Sequence, residues 1–143
     1  MTKNIALKIA TFVVLSIFIF ALGVSSFAKM KEPDGINWSY LGTCSYSFDL
    51  TSTTSTQKHF FIDGTTTTGA PRNAYVKVEL QKYINAGWNT IYTLTDEDYM
   101  AAGVEDTDYS VDKNYTYRLK ITHKAKTTSG TTLETYTHYS YTL

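Results

Sequence analysis

Alternation with period two dominates the chain from Tyr40 onward. Its clearest run is Ala74 to Gln81, with Ala74, Val76, Val78 and Leu80 on one side and Tyr75, Lys77, Glu79 and Gln81 on the other. That spacing, with β-branched residues on the apolar side, predicts a half-buried strand. A turn around Asn85-Ala86-Gly87 and a second run from Trp88 to Leu94 complete a predicted hairpin. Tyr115 to Ala125 repeats the pattern: Tyr115, Tyr117, Leu119, Ile121, His123 and Ala125 face one way, and Thr116, Arg118, Lys120, Thr122 and Lys124 the other. The Val76, Val78 and Leu80 face is expected to pack on Tyr117, Leu119 or Ile121, in one sheet or around a shared core.

Weaker alternation fills in the rest. Tyr40 to Leu50 reads as a strand with Cys44, Tyr46, Phe48 and Leu50 on one side. Lys58 to about Thr67 is a second strand, with Phe60 and Ile62 on one face and His59 and Phe61 on the other; Gly64 marks a bulge or a close backbone approach. Asp96 to Gly103 is the one candidate helical turn, with Thr95 as its cap and Asp96, Glu97 and Asp98 in the first turn. Asp106 to Val111 is a short strand, and Thr131 to Thr142 the last, entered through a turn at Thr127 to Gly130. About seven strands, with turn signals spaced at roughly 8–12 residues, predict an all-β fold: an Ig-like antiparallel β-sandwich over residues 40–143.

The N-terminus has a different character. Lys3 and Lys8 precede an apolar stretch from Ile9 to Val24, and Ser26-Phe27-Ala28 follows with small residues where a signal peptidase cuts. This order predicts a helical signal peptide over 1–28, removed after Ala28, and a lead-in over 29–39. A retained membrane anchor is the competing reading, because the apolar stretch approaches the ~20 residues a spanning helix needs. Cleavage removes Lys3 and Lys8 and leaves 11 basic and 13 acidic residues, a net charge near −2. That balance argues against nucleic acid as a partner. The membrane enters only through the uncleaved signal, so the expected location is extracellular.

Two stretches carry a resemblance. Val111-Asp112-Lys113-Asn114-Tyr115-Thr116-Tyr117-Arg118-Leu119 resembles the sixth-strand entry of immunoglobulin-like and fibronectin type III domains, which implies Tyr115 as a corner tyrosine bonded to upstream backbone. The signal peptide, Val78-Glu79-Leu80-Gln81-Lys82, Gly87-Trp88 and Tyr117-Arg118-Leu119-Lys120 together resemble a group of small secreted Ig-like proteins of Gram-positive bacteria. This resemblance implies a sandwich fold and export; it brings no activity and no site residues.

Candidate chemistry is sparse. His59, His123 and His138 form a conceivable metal set, but no ligand spacing links them. Asp96, Glu97, Asp98, Glu105, Asp106, Asp108 and Asp112 form an acidic segment without the ordered loop of a calcium site. Cys44, the lone cysteine, reads as a buried small side chain or as one half of an intermolecular disulfide. No nucleophile elbow, phosphate-cradling glycine loop or distinctive carboxylate pair is present, so neither a catalytic role nor a cofactor is expected. Two glycosylation-type tripeptides, at Asn37 and Asn114, read as chance matches. The best lead is aromatic: Trp88, Tyr92, Tyr75 and Tyr83 are candidate members of an exposed surface for an extracellular protein or glycan. The expected role is a non-catalytic binding module at the cell surface or in the medium; a bacteriocin-like effector or its accessory is the alternative.

Overall fold

A computed structural model describes residues 38–143. The expected signal peptide and the lead-in before Trp38 lie outside the described residues. Seven strands follow in order: β1 (Leu41–Thr53), β2 (Gln57–Thr68), β3 (Asn73–Ile84), β4 (Gly87–Tyr99), β5 (Ala101–Asp112), β6 (Tyr117–Lys126) and β7 (Thr132–Tyr139). All pairings are antiparallel. One sheet has the order β1-β2-β5 and the other β4-β3-β6-β7. This is the expected Ig-like β-sandwich. It differs from the constant-type immunoglobulin arrangement in that the fourth strand joins the sheet of β3 and not that of β2 and β5.

The two strongest alternations lie side by side. In β3 and β6, Val78 pairs with Ile121, Leu80 with Leu119 and Val76 with His123. Their side chains point at the three-stranded sheet, where Tyr46, Phe48, Phe60 and Ile62 complete one buried cluster. Burying a side chain of this size contributes about 1.5–3 kcal/mol. Gly64 permits the sheets to close: a Cβ there would stand 2.5 Å from Cγ2 of Val78. Gly64 is therefore a close approach and not a bulge. The bulge in β2–β5 falls between Phe60 and Ile62.

Three local expectations are corrected. Residues 96–103 form no helical turn. β4 runs on to Tyr99, Met100 takes a positive φ of 65°, and β5 starts at Ala101. Met100 N–H donates to the Arg72 carbonyl at 2.8 Å, and Thr68 N–H donates to the Met100 carbonyl at 3.0 Å. The chain thus changes sheets at a one-residue corner tied to the β2–β3 connection. Asp96 accepts from Gly103 N–H at 2.9 Å across that corner, so its carboxylate braces the turn and caps no helix. Second, Leu50 does not join the core and is 44 % exposed. A register shift between Leu50 and Ser52 marks where β1 runs past the packed region.

Third, the corner tyrosine is Tyr117 and not Tyr115. The Tyr117 ring is buried, and its hydroxyl donates to the Asp112 carbonyl at 2.7 Å. Burial, with the Asp112 charge nearby, pushes its pKa up to about 12. Tyr115 precedes the strand and lies half-buried, with Lys82 Nζ 3.3 Å from its ring centroid. Cys44 is buried with Leu41 and Ala125, packed by Trp38, Tyr40 and Tyr136.

The β3–β4 hairpin turns on Asn85 and Ala86, with φ of 53° and 59°. Two positive φ values define a type I′ turn, which matches the twist of the strands it joins. Asparagine tolerates this region; alanine there costs about 1–2 kcal/mol. Ala86→Gly is expected to raise stability by about 0.5–1 kcal/mol, and Gly64→Ala to lower it by about 1–3 kcal/mol through overpacking on Val78. Tyr117→Phe is expected to cost about 1 kcal/mol, with Tyr115→Phe near neutral. Urea denaturation of the four variants checks all of these; equal losses at Tyr115 and Tyr117 contradict the corner assignment.

Candidate functional site

The sandwich has two outer faces, and they differ in chemistry. Along β3 the outward side chains are Tyr75, Lys77, Glu79, Gln81 and Tyr83, the polar side of the alternation. On β6, Arg118, Lys120, Thr122, Lys124 and Lys126 register beside them: Gln81 opposite Arg118, Glu79 opposite Lys120, Tyr75 opposite Lys124. β4 contributes Trp88, opposite Tyr83, and β7 contributes Tyr139, opposite Lys120.

The hairpin end of this face carries an ordered row. Arg118 Cζ lies 4.2 Å from the Trp88 ring centroid and 4.2 Å from that of Tyr139, so the guanidinium is sandwiched between two aromatic rings. Its Nε donates to Gln81 Oε1 at 2.9 Å, and Gln81 Nε2 reaches Thr90 Oγ1 at 3.4 Å. Gln81 thus forms the polar floor of the row. Tyr83 extends it, tilted against Trp88 at a centroid separation of 5.2 Å. Cation–π contacts of this kind contribute about 0.5–1 kcal/mol each when exposed and more when desolvated. Together they hold four long side chains in fixed positions on the surface. Tyr83 remains 45 % exposed and Tyr139 47 %.

Of the four aromatic candidates, Trp88 and Tyr83 meet in this row. Tyr75 shares the face but lies about 27 Å from Tyr83 along β3, at ~3.4 Å per residue. Lys124 and Lys126 stand over its ring at 5.2 and 4.6 Å, and Lys126 pairs with Glu97. Tyr92 does not share the face. A bulge pairs Leu80 with Tyr92 and Gln81 with Thr90, leaving Ile91 between them. One extra residue reverses the alternation, so Trp88 points outward and Tyr92 toward β5. There Tyr92 stacks on Tyr109 at 4.0 Å and donates to Asp106 Oδ2 at 2.8 Å. Arg118, Tyr139 and Gln81 were not among the sequence candidates. The outward parity of Arg118 was readable; its register against Gln81 and Trp88 was not.

The opposite outer face bears Asp49, Asp63 and Glu105, with Asp63 registering against Ser47 and Glu105. Burial and the Glu105 charge raise the Asp63 pKa. His59 lies on the same side and contacts Asp108 at 2.8 Å. The acidic residues of 96–112 are otherwise spread along two strands and occupied with local bonds. Asp106 holds Tyr92, and Asp112 accepts from Asn114 N–H at 2.9 Å. Among the described residues no group of three His, Cys, Asp or Glu could hold a metal ion, and no helix is long and apolar enough to cross a membrane.

His123 and His138 meet inside the sandwich, on the other side of β6 and β7. Their rings stack at 5.0 Å, flanked by Tyr136 and Tyr46. His123 Nδ1 bonds Thr66 Oγ1 at 2.7 Å; His123 Nε2 and both nitrogens of His138 lack a partner among the described residues. Burial, with the His138 charge adding to it at His123, holds their pKa values down to about 3 and about 4. Neutral rings are thus a requirement of packing. Glu134, on the same strand, accepts from the backbone N–H groups of Tyr40 and Leu41, each at 2.8 Å, and of Ser39 at 3.3 Å. Burial raises its pKa, but these three bonds outweigh that and the net shift is downward.

No family model and no curated protein matches the chain. Structural comparison finds similarity to the crystal structure of Bacteroides uniformis β-glucuronidase, at 18 % identity and a TM-score of 0.45, covering 66 % of this chain and 12 % of that one. B. uniformis β-glucuronidase 2 bound covalently to cyclophellitol-6-carboxylate aziridine is also similar, at 18 % identity and a TM-score of 0.38, with 66 % and 12 % covered. The chain spans about an eighth of these enzymes, and the likeness carries no argument about activity.

The histidine pair sets a pH dependence. Both folded-state pKa values lie below the ordinary 6.5, so the contribution to stability is complete above that value and is lost as pH falls toward 4 and then 3. Stability is therefore expected to fall from pH 6.5 downward, beginning above the carboxylate range. His138→Phe keeps a stacked ring but removes two nitrogens that lack a hydrogen-bond partner among the described residues, and is expected to reduce the slope of urea stability between pH 7 and 5; an unchanged slope contradicts the assignment.

Proposed function

We propose that this chain is an exported, non-catalytic binding module that engages a glycan at the cell surface or in the medium through the outer face of its four-stranded sheet. The observation that carries this reading is the row Tyr83, Trp88, Arg118 and Tyr139, held in place on a face that no described strand covers. Aromatic and arginine side chains are the residues that most often dominate recognition energy. Fixing them in advance lowers the ordering cost of binding. Planar rings suit the apolar C–H faces of pyranose sugars, while Arg118 and Gln81 offer polar contacts at the same level. The N-terminal sequence supports export, and the absence of a catalytic constellation in the sequence supports a binding role.

Affinity electrophoresis and pull-down on a panel of soluble polysaccharides and cell-wall fractions test this. Saturable binding to at least one glycan is expected. Trp88→Ala is expected to weaken it by about tenfold or more, and Ser47→Ala, on the other sheet, to leave it unchanged. Absence of saturable binding to every fraction overturns the reading.

A further inference from the structure

The charge on the proposed binding face points to the class of glycan. Five cationic side chains project from it, Lys77, Arg118, Lys120, Lys124 and Lys126, against two carboxylates, Glu79 and Glu97. The exported chain as a whole is slightly acidic, so this surplus is local. It is offset on the outer face of the other sheet, where Asp49, Asp63, Glu105 and Asp108 project and His59 is the sole basic side chain on the outward positions of β1, β2 and β5. The domain is electrically two-sided.

The cations differ in how far they are neutralised. Lys77 and Lys120 share Glu79, at 3.2 and 3.6 Å, and Lys126 is taken by Glu97. Arg118 makes no ion pair among the described residues. Its partners are two ring faces and one amide oxygen, all neutral. A guanidinium positioned by three contacts, with only Nε committed to a hydrogen bond, keeps its terminal N–H groups for a planar two-oxygen acceptor. Lys124 contacts the Tyr75 ring and is only partly neutralised: its charge helps to lower the Glu97 pKa, but the bond to that carboxylate is made by Lys126. These two cations, Arg118 unpaired among the described residues and Lys124 partly neutralised, lie on one strand, about 20 Å apart at ~3.3 Å per residue, with an aromatic ring beside each.

We infer that the face binds a linear polysaccharide carrying carboxylates on its sugar rings, laid along β6 with one acidic residue at Arg118 and another at Lys124. This rests on the glycan-binding reading above and sharpens it. Ring-bearing sugars are favoured over a phosphodiester chain of open polyols, because each of the two cations stands beside an aromatic surface that an open chain cannot stack on. The acidic opposite face repels a polyanion, which confines binding to one side.

Titration of the purified chain with polygalacturonate, a neutral β-glucan and single-stranded DNA tests this, read by isothermal calorimetry at two salt concentrations. Polygalacturonate is expected to bind at least tenfold more tightly than the neutral glucan, and to lose about tenfold in affinity when salt rises from 50 to 300 mM. Arg118→Gln and Lys124→Gln are each expected to weaken polygalacturonate severalfold; because Lys124 lies outside the hairpin-end row, its variant retains whatever neutral-glucan binding exists. Equal, salt-independent affinity for both polysaccharides overturns the inference and leaves the glycan-binding reading standing. Binding to neither, with none to any other polysaccharide, overturns both. Single-stranded DNA bound as tightly as polygalacturonate also overturns the inference, since the face is then a general polyanion surface.

Discussion

The pairing of β3 with β6 is the constraint on which the other features rest. In that register Val78 meets Ile121 and Leu80 meets Leu119 on the inward side, while Gln81 meets Arg118 on the outward side. The two outcomes cannot be separated, because side chains alternate strictly across a sheet. A slip of one residue would turn the valines to solvent and take Arg118 away from Gln81. Hydrophobic burial therefore specifies the position of Arg118 even though Arg118 is on the surface. Closure of the three-stranded sheet against this pair relies on Gly64, where the backbone of β2 passes within side-chain reach of Val78.

Two features modify this plan, and both bear on the surface row. The bulge at Ile91 turns Trp88 outward while leaving Tyr92 to fasten β4 to β5. Without it, Trp88 and Tyr92 would share a side and the row would lose its end member. The His123–His138 stack, with His123 buried and His138 half-buried, lies beneath the same pair of strands that display Arg118 and Tyr139. Its demand for neutral rings links the integrity of the sheet, and hence of the row, to pH.

Most of the fold was legible because period two survives wherever a strand has one buried face. Val76, Val78 and Leu80, and Tyr117, Leu119 and Ile121, announced themselves in this way, and they occupy the core. Three things were hidden, each for a physical reason. The bulge at Ile91 depends on how two strands pair and has no signature within one strand. The corner at Met100 was masked by acids that favour a helix start, whereas Asp96 uses its carboxylate on Gly103 across the turn. The corner hydroxyl belongs to Tyr117 because only that ring lies inside the strand, a difference of one alternation from Tyr115. At the site, Trp88 and Tyr83 were visible as surplus aromatics, but Arg118 and Tyr139 gain meaning only from their placement across strands distant in sequence.

We propose that recognition takes place on one face of the sandwich, on side chains that the β3–β6 register holds in place. Amide and side-chain chemical-shift mapping of the isotopically labelled chain during a polygalacturonate titration reads this directly. Perturbations are expected on the Trp88 indole, the Arg118 guanidinium, Tyr139, Lys124 and their neighbours on β3, β4, β6 and β7, with β1 and β2 silent. Perturbations centred on Asp49, Asp63 and Glu105, or spread evenly over both sheets, contradict it.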